Sequence, residues 1–150
     1  MTAKEYLEQV RRIRLEIGRL NDQIETIRTD VGSYHPIQID DTGASHLNYR
    51  TDKLSEKMAQ VVDLCAELEE KKAGLILKEA EIRRKVSQMS DPKEIEVLTL
   101  RYLTIYPRKP FAPIGWKSIG YRMGYSAEGA RYIHDKALKS FTKVLNSTET

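Results

Sequence analysis

The sequence predicts an all-α fold, with a long N-terminal helical hairpin or coiled coil followed by a small C-terminal helix-turn-helix domain. Three observations predict it. Apolar residues recur at alternating steps of four and three in the first half of the chain. The second half contains a strong helix start and two short amphipathic segments around a glycine turn. Charge is also divided unevenly between residues 1–89 and 90–150, which we therefore take as the two domains.

The first predicted helix ends near Val31, and its apolar residues follow a heptad pattern. They are Tyr6, Val10, Ile13, Ile17, Leu20, Ile24, Ile27 and Val31. Charged residues occupy the positions between them, and no proline interrupts the run. Gly32 follows at a position where helices commonly end. Such a stripe needs a partner helix to cover it.

Residues 32–46 contain Pro36, Gly43 and several turn formers without any period, which predicts a loop. At about 15 residues it is long for a helix–helix connection, and the sequence leaves open whether it is mobile or a contact loop.

A second heptad run predicts a helix over about residues 48–88. Its apolar members are Leu54, Met58, Val61, Cys65, Leu68, Leu75, Ile82, Val86 and Met89. Lys72 and Glu79 fall on the same stripe, where they either set the register or mark a drift towards Ile76. Two such helices most simply form an antiparallel hairpin. The same stripe could instead pair two chains, and we expect a homo-oligomer, with a dimer favoured.

Charge and residue counts indicate a binding role and give no sign of an enzyme. The net charge is +3, with 25 Lys+Arg and 22 Asp+Glu. Residues 1–89 carry 15 basic and 16 acidic side chains, whereas residues 90–150 carry 10 and 6. A neutral N-terminal part and a basic C-terminal part suggest two roles, the second of them binding to an anionic polymer. With one cysteine and three histidines, no zinc motif or catalytic constellation can be written, so we expect neither an enzyme nor a cofactor.

No secretory signal or membrane-spanning run is present, and a single Cys65 precludes an internal disulfide. The sequence therefore predicts a cytoplasmic protein without a membrane partner.

The second half begins with a helix-start signal. Asp91 can cap, Pro92 suits the first helical position, and Glu94 stands three residues after the cap. Residues 106–113 contain three of the five prolines and cannot be helical throughout. The sequence leaves open whether this segment is a flexible connector or a DNA-contacting wing.

Two further helices are predicted on either side of a three-residue turn. Trp116, Ile119 and Met123 share one face of the first. Gly124 can adopt a left-handed conformation, and Ser126 can cap the second helix. Its apolar residues recur every three or four positions: Ala130, Ile133, Ala137, Leu138 and Phe141. A helix, a tight turn with glycine and a longer helix are typical of a helix-turn-helix.

The stretch "EVLTLRYL…WKSIGYRMGYSAEGARYIHDKALKSF" resembles the region-four helix-turn-helix of sigma-70-type transcription factors. "IGYRMGYS" resembles the positioning helix and turn, and "SAEGARYIHDKALKSF" the recognition helix. The coiled coil before such a tail also resembles phage- and prophage-encoded late-gene regulators of the ArpU and RinA type. The resemblance implies double-stranded DNA binding and transcriptional control, with RNA polymerase as a possible partner. Sigma regions two and three are absent, so a complete sigma factor is not expected.

Position in a helix-turn-helix predicts which side chains touch DNA, because the first residues of the second helix meet base edges and the flanks meet phosphates. The base-contact candidates are Ala127, Glu128, Arg131 and Tyr132. The phosphate-contact candidates are Lys117, Ser118, Tyr121, Arg122, Ser126, Lys136 and Lys139. Two rival functions stay open: a small terminase-like subunit that recognises phage DNA for packaging, and an interaction protein that binds RNA polymerase without contacting DNA.

Overall fold

The computed structural model is all-α over the residues whose backbone it describes, which are 1–32, 44–110 and 112–148. Side chains are described over the same residues except 31–32 and 44–54. The helices are α1 (Ala3–Gly32), α2 (Ala44–Ser87), α3 (Pro92–Leu98), α4 (Trp116–Met123) and α5 (Ala127–Thr148). A π-helical turn, Thr99–Leu103, continues α3. These residues contain no β-strand, which confirms the predicted all-α class.

Both long helices extend further than the sequence indicates. The predicted C-terminal glycine, Gly32, is itself helical, and α2 begins at Ala44 rather than near residue 48. The predicted loop 32–46 is therefore shorter at both ends. Its residues 33–43 lie outside the described part of the chain.

The chain forms two compact units. The hairpin unit comprises Ile17–Gly74, and the main unit comprises Met1–Glu16 together with Leu75–Thr150. The predicted boundary after residue 89 falls inside the main unit, because the N-terminal part of α1 and the C-terminal part of α2 belong to the same unit as residues 90–150. The assignment of one role to 1–89 and another to 90–150 stays a prediction.

In the hairpin unit the predicted seam is buried on the side of α1. Ile17, Leu20 and Ile24 are each less than a tenth exposed. An ion pair between Arg28 and Glu69, 3.6 Å apart, links α1 to α2. Here the two heptad helices pair within one chain, one of the two arrangements that the sequence allows.

In the main unit the same seam contains a buried carboxylate. Glu79 is 4% exposed and accepts hydrogen bonds from Arg14 Nη2 at 2.7 Å and from Arg83 Nε at 2.8 Å. Because the ion pair joins α1 to α2 at one position, it favours one register of the helix pair. The polar residue that interrupts the apolar pattern is thus a buried contact.

The start of α1 buries a residue that the heptad pattern passes over. Leu7 is fully buried, whereas the predicted Tyr6 is half-buried and lies with its ring centroid 5.0 Å from Lys85 Nζ. Phe141 of α5 also approaches the Tyr6 ring, at 5.9 Å between centroids. Here α5 packs as a third helix beside α1 and α2, so the buried face of α1 is wider than a seam between two helices.

The predicted helix start at Asp91 is confirmed. Its Oδ1 accepts from the backbone N–H of Lys93 at 2.9 Å, and Pro92 occupies the first helical position. From Thr99 onwards the spacing of the helical hydrogen bonds widens, and the N–H of Thr104 donates to the carbonyl of Thr99 at 2.9 Å. This π-helical turn buries Tyr102 and Leu103, and Arg83 Nη2 donates to the Leu103 carbonyl at 2.7 Å.

Candidate nucleic-acid interface

The connection between α4 and α5 consists of Gly124, Tyr125 and Ser126. Gly124 has φ 77°, in the left-handed region that glycine tolerates, and the N–H of Tyr125 donates to the carbonyl of Gly120 at 2.7 Å. Ser126 Oγ accepts from the N–H of Gly129 at 3.0 Å, as an N-cap does. The turn and the cap that the sequence predicts are both confirmed.

Gly120 explains how closely the turn packs on α4. A Cβ at this position would lie 2.6 Å from the carbonyl oxygen of Tyr125 and 2.8 Å from that of Ser126. Such distances are too short for any side chain, and both neighbours are backbone atoms that cannot move independently. Only glycine at this position lets the turn fold back onto α4.

Helix α5 is clearly divided into a buried face and an exposed face. Ala130, His134, Ala137 and Phe141 are buried at steps of four, three and four, against α3 and α4. The exposed side carries charged and aromatic side chains, while Ile133 and Leu138 are half-buried.

All eleven predicted DNA-contact side chains lie exposed on α4, the turn or α5. They are Ala127, Glu128, Arg131, Tyr132, Lys117, Ser118, Tyr121, Arg122, Ser126, Lys136 and Lys139. We call them the α4–α5 surface. Two of its aromatic rings stand out, since Tyr121 is 88% exposed and Tyr132 is 72% exposed. Each of these rings has an exposed arginine as its chain neighbour, Arg122 beside Tyr121 and Arg131 beside Tyr132.

The charge near this surface is positive. Between Glu96 and Glu128 the sequence contains no Asp or Glu, and its basic residues there are Arg101, Arg108, Lys109, Lys117 and Arg122. Within the α4–α5 surface the single carboxylate is Glu128. An anionic polymer would meet little repulsion from these residues.

A buried polar cluster supports the surface from below. Tyr102 Oη and His134 Nε2 are hydrogen-bonded at 2.7 Å, and the Trp116 ring meets His134 edge-on with centroids 4.7 Å apart. The cluster joins the π-helical turn, α4 and α5. Burial raises the pKa of Tyr102 to about 12 and lowers the pKa of His134, although Asp135 acts in the opposite direction on the histidine.

Arg101 is held beneath Trp116 and is not a free surface cation. Its guanidinium carbon lies 4.3 Å from the centroid of the Trp116 ring, and its Nη1 donates to the carbonyl of Ile114. Partial burial lowers its pKa. This arginine holds the segment that leads into α4, because a cation–π contact is stronger where the cation is partly removed from water.

Two ordered features lie beside the α4–α5 surface, one of them in the segment 106–113 that the sequence leaves open between a connector and a wing. The turn at Tyr106–Lys109 is closed by a backbone hydrogen bond of 3.0 Å. Lys93 Nζ lies 5.4 Å from the centroid of the Tyr125 ring, and its hydrogen bond with Tyr125 raises the pKa of the lysine. The prolines in 106–113 signalled a turn but not its anchoring, because cation–π contacts between distant residues leave no periodic pattern. Phe111 lies outside the described residues.

Within the described ranges, no cluster of three or more His, Cys, Asp or Glu side chains is arranged to hold a metal ion. None of the described helices combines the length and apolar content needed to cross a membrane. Comparisons with protein-family models, curated proteins and solved structures found no match to the chain. Function is therefore inferred from the residues of this chain.

Proposed function

We propose that the protein is a sequence-specific, DNA-binding transcriptional regulator whose α4–α5 surface docks in the major groove. One observation carries this proposal: the eleven predicted contact side chains are all exposed around a three-residue turn, in a segment rich in cations. A helix flanked by a second helix and by cations is the arrangement that reads duplex DNA in helix-turn-helix proteins.

The start of α5 carries the groups suited to reading bases. Arg131 can donate two hydrogen bonds to a guanine, and Glu128 can accept from the amino group of a cytosine. Ala127 permits close approach, and Tyr132 adds a ring that contacts either a base or the backbone. These four side chains lie within the first two turns of α5.

The remaining seven side chains suit the phosphate backbone. Lys117 and Arg122 lie on α4, while Lys136 and Lys139 lie further along α5. The hydroxyls of Ser118 and Tyr121 can donate to phosphate oxygens. Ser126 accepts a hydrogen bond as a helix cap, so its hydroxyl proton is left to donate to a phosphate.

We assign partner binding to the pair of helices α1 and α2. The candidate partners are RNA polymerase and a second copy of the chain. The resemblance to phage-encoded regulators supports a role in transcription in the bacterial cytoplasm. Because the seam of α1 and α2 is used within the chain, a homodimer would use other residues, such as the exposed Val62 and Leu64 of α2. A dimer would favour an inverted-repeat site with half-sites one or more helical turns apart.

The proposal is tested by fluorescence anisotropy of the full chain on duplex DNA. The double variant Arg131→Ala, Lys136→Ala should lose specific binding, since it removes one base contact and one phosphate contact. The matched control is Lys57→Ala with Arg84→Ala, which removes the same charge from exposed positions on α2. Circular dichroism should show equal helicity for both. Unchanged affinity of the first variant, or an equal loss in the control, would contradict the assignment.

A further inference from the structure

We propose that the turn Tyr106–Lys109 is a basic wing that contacts the phosphate backbone beside the α4–α5 surface. This inference rests on the proposed function and adds a second contact region to it. Its cations are Arg108 and Lys109, and both are exposed.

The wing is held in a defined turn by its own backbone. The N–H of Lys109 donates to the carbonyl of Tyr106 at 3.0 Å, which is the bond that closes a four-residue turn. Pro107 occupies the second position, where its fixed φ suits the turn. The N–H of Ala112 then donates to the carbonyl of Lys109 at 3.4 Å. Arg108 and Lys109 are therefore presented from an ordered segment.

A cation–π contact anchors the wing to α4. The guanidinium carbon of Arg122 lies 5.2 Å from the centroid of the Tyr106 ring. The Tyr106 hydroxyl is buried and has no hydrogen-bond partner among the described residues. Because the ends of such a turn are less than about 7 Å apart, the Lys109 backbone lies close to the anchored tyrosine. Arg122 itself belongs to the α4–α5 surface, so the wing borders that surface.

Charge indicates a phosphate backbone as the occupant. Arg108 and Lys109 lie inside the stretch from Val97 to Ala127 that contains no carboxylate. Two cations on a short turn, flanked by prolines, offer charge without the helix or strand that reads a groove. Contacts of this kind raise affinity for any duplex and make it steeply dependent on salt.

The test compares Arg108→Ala, Lys109→Ala with the wild-type chain in anisotropy titrations at several salt concentrations. Two lost phosphate contacts should flatten the plot of log affinity against log salt by about 2 units. At near-physiological salt, affinity should fall by about 10- to 30-fold, equally on the preferred site and on an unrelated duplex.

A second pair of variants tests the anchor without changing charge. Tyr106→Phe keeps the ring beneath Arg122 and removes only the unpartnered hydroxyl, so it should bind DNA as the wild type does. Tyr106→Ala removes the ring and should weaken binding, because the turn then loses its contact with α4. Equal binding by these two variants would contradict the role of the anchor.

The outcomes separate the wing from the proposed function. Arg108→Ala, Lys109→Ala could leave the affinity and the salt slope unchanged while Arg131→Ala, Lys136→Ala abolishes specific binding. In that case the proposed role of the wing is wrong and the assignment of the α4–α5 surface stands. A loss confined to one DNA sequence would contradict phosphate contact, because it would mean that the wing reads bases. If the wild-type chain binds no DNA, both proposals are wrong.

Discussion

His134 lies at the centre of the buried polar cluster beneath the α4–α5 surface. It is 6% exposed, its Nε2 is hydrogen-bonded to Tyr102, and its Nδ1 lies 3.2 Å from Asp135 Oδ1. The cost of burying a charged imidazole exceeds the help from Asp135, and the positive charges of Arg101 and Lys4 add to it, so the pKa of His134 is lowered. The folded chain therefore favours the neutral ring.

This lowered pKa predicts how stability depends on pH. Below the ordinary histidine pKa of about 6.5 the unfolded chain binds a proton that folded His134 resists. The free energy of unfolding should then decrease as pH falls from that value towards the lowered pKa, and be unaffected by this group above it. Urea unfolding at pH 7.5 and about 5.5 measures the decrease, which should be smaller in His134→Gln. Equal decreases in the two proteins would contradict a buried, neutral histidine.

At this scale the sequence predicts exposure better than it predicts contacts. The period of Ala130, Ala137 and Phe141 predicts which side of α5 faces outwards, whereas the candidates on α4 and in the turn come from the helix-turn-helix pattern. The pairing of Tyr102 with His134 could not be predicted, because it joins residues 32 positions apart through one hydrogen bond. Leu7 was missed because Tyr6, next to it, fitted the heptad equally well.

At the scale of elements, the connection from α4 to α5 depends on one position where no side chain fits. The variant Gly120→Ala should destabilise the protein by about 1–3 kcal/mol, since its Cβ would meet two backbone carbonyls. Thermal unfolding measures the effect.

Gly74→Ala is the matched control for this substitution. Gly74 is helical like Gly120 but exposed, and a Cβ there meets nothing within 4 Å. Helix propensity alone should make that variant more stable, by up to about 1 kcal/mol. Equal effects of the two substitutions would show that the turn does not pack on α4 as described.

The helices themselves were largely predictable, because the heptad steps, the Asp91-Pro92 start and the Gly124-Ser126 turn each have a local physical cause. Two features were not. The composition of Thr99–Leu103 does not distinguish a π-helical turn from an ordinary helical turn, and the hydrogen bond from Arg83 to the Leu103 carbonyl joins residues 20 positions apart. The heptad pattern alone does not decide whether Glu79 sets the register or marks a drift, because the pattern does not show its two arginine partners.

At the scale of the whole molecule, the small net charge of +3 conceals a neutral N-terminal part and a basic C-terminal one. Charge of this kind governs encounter with anionic partners and has little bearing on the fold. The compact units do not follow the same division, since Met1–Glu16 belongs with Leu75–Thr150. The division could not be predicted from periodicity, because α1 and α2 continue the same heptad pattern through both units.

The most direct measurement of the central claim is selection of bound fragments from a random duplex DNA library by the full-length chain, followed by sequencing. We expect the wild-type protein to enrich one short motif, and Arg131→Ala, Lys136→Ala to lose that enrichment while keeping its helicity. The Lys57→Ala, Arg84→Ala control should enrich the same motif as the wild type. A wild-type selection that returns sequences in their starting proportions would contradict the claim that the α4–α5 surface reads DNA.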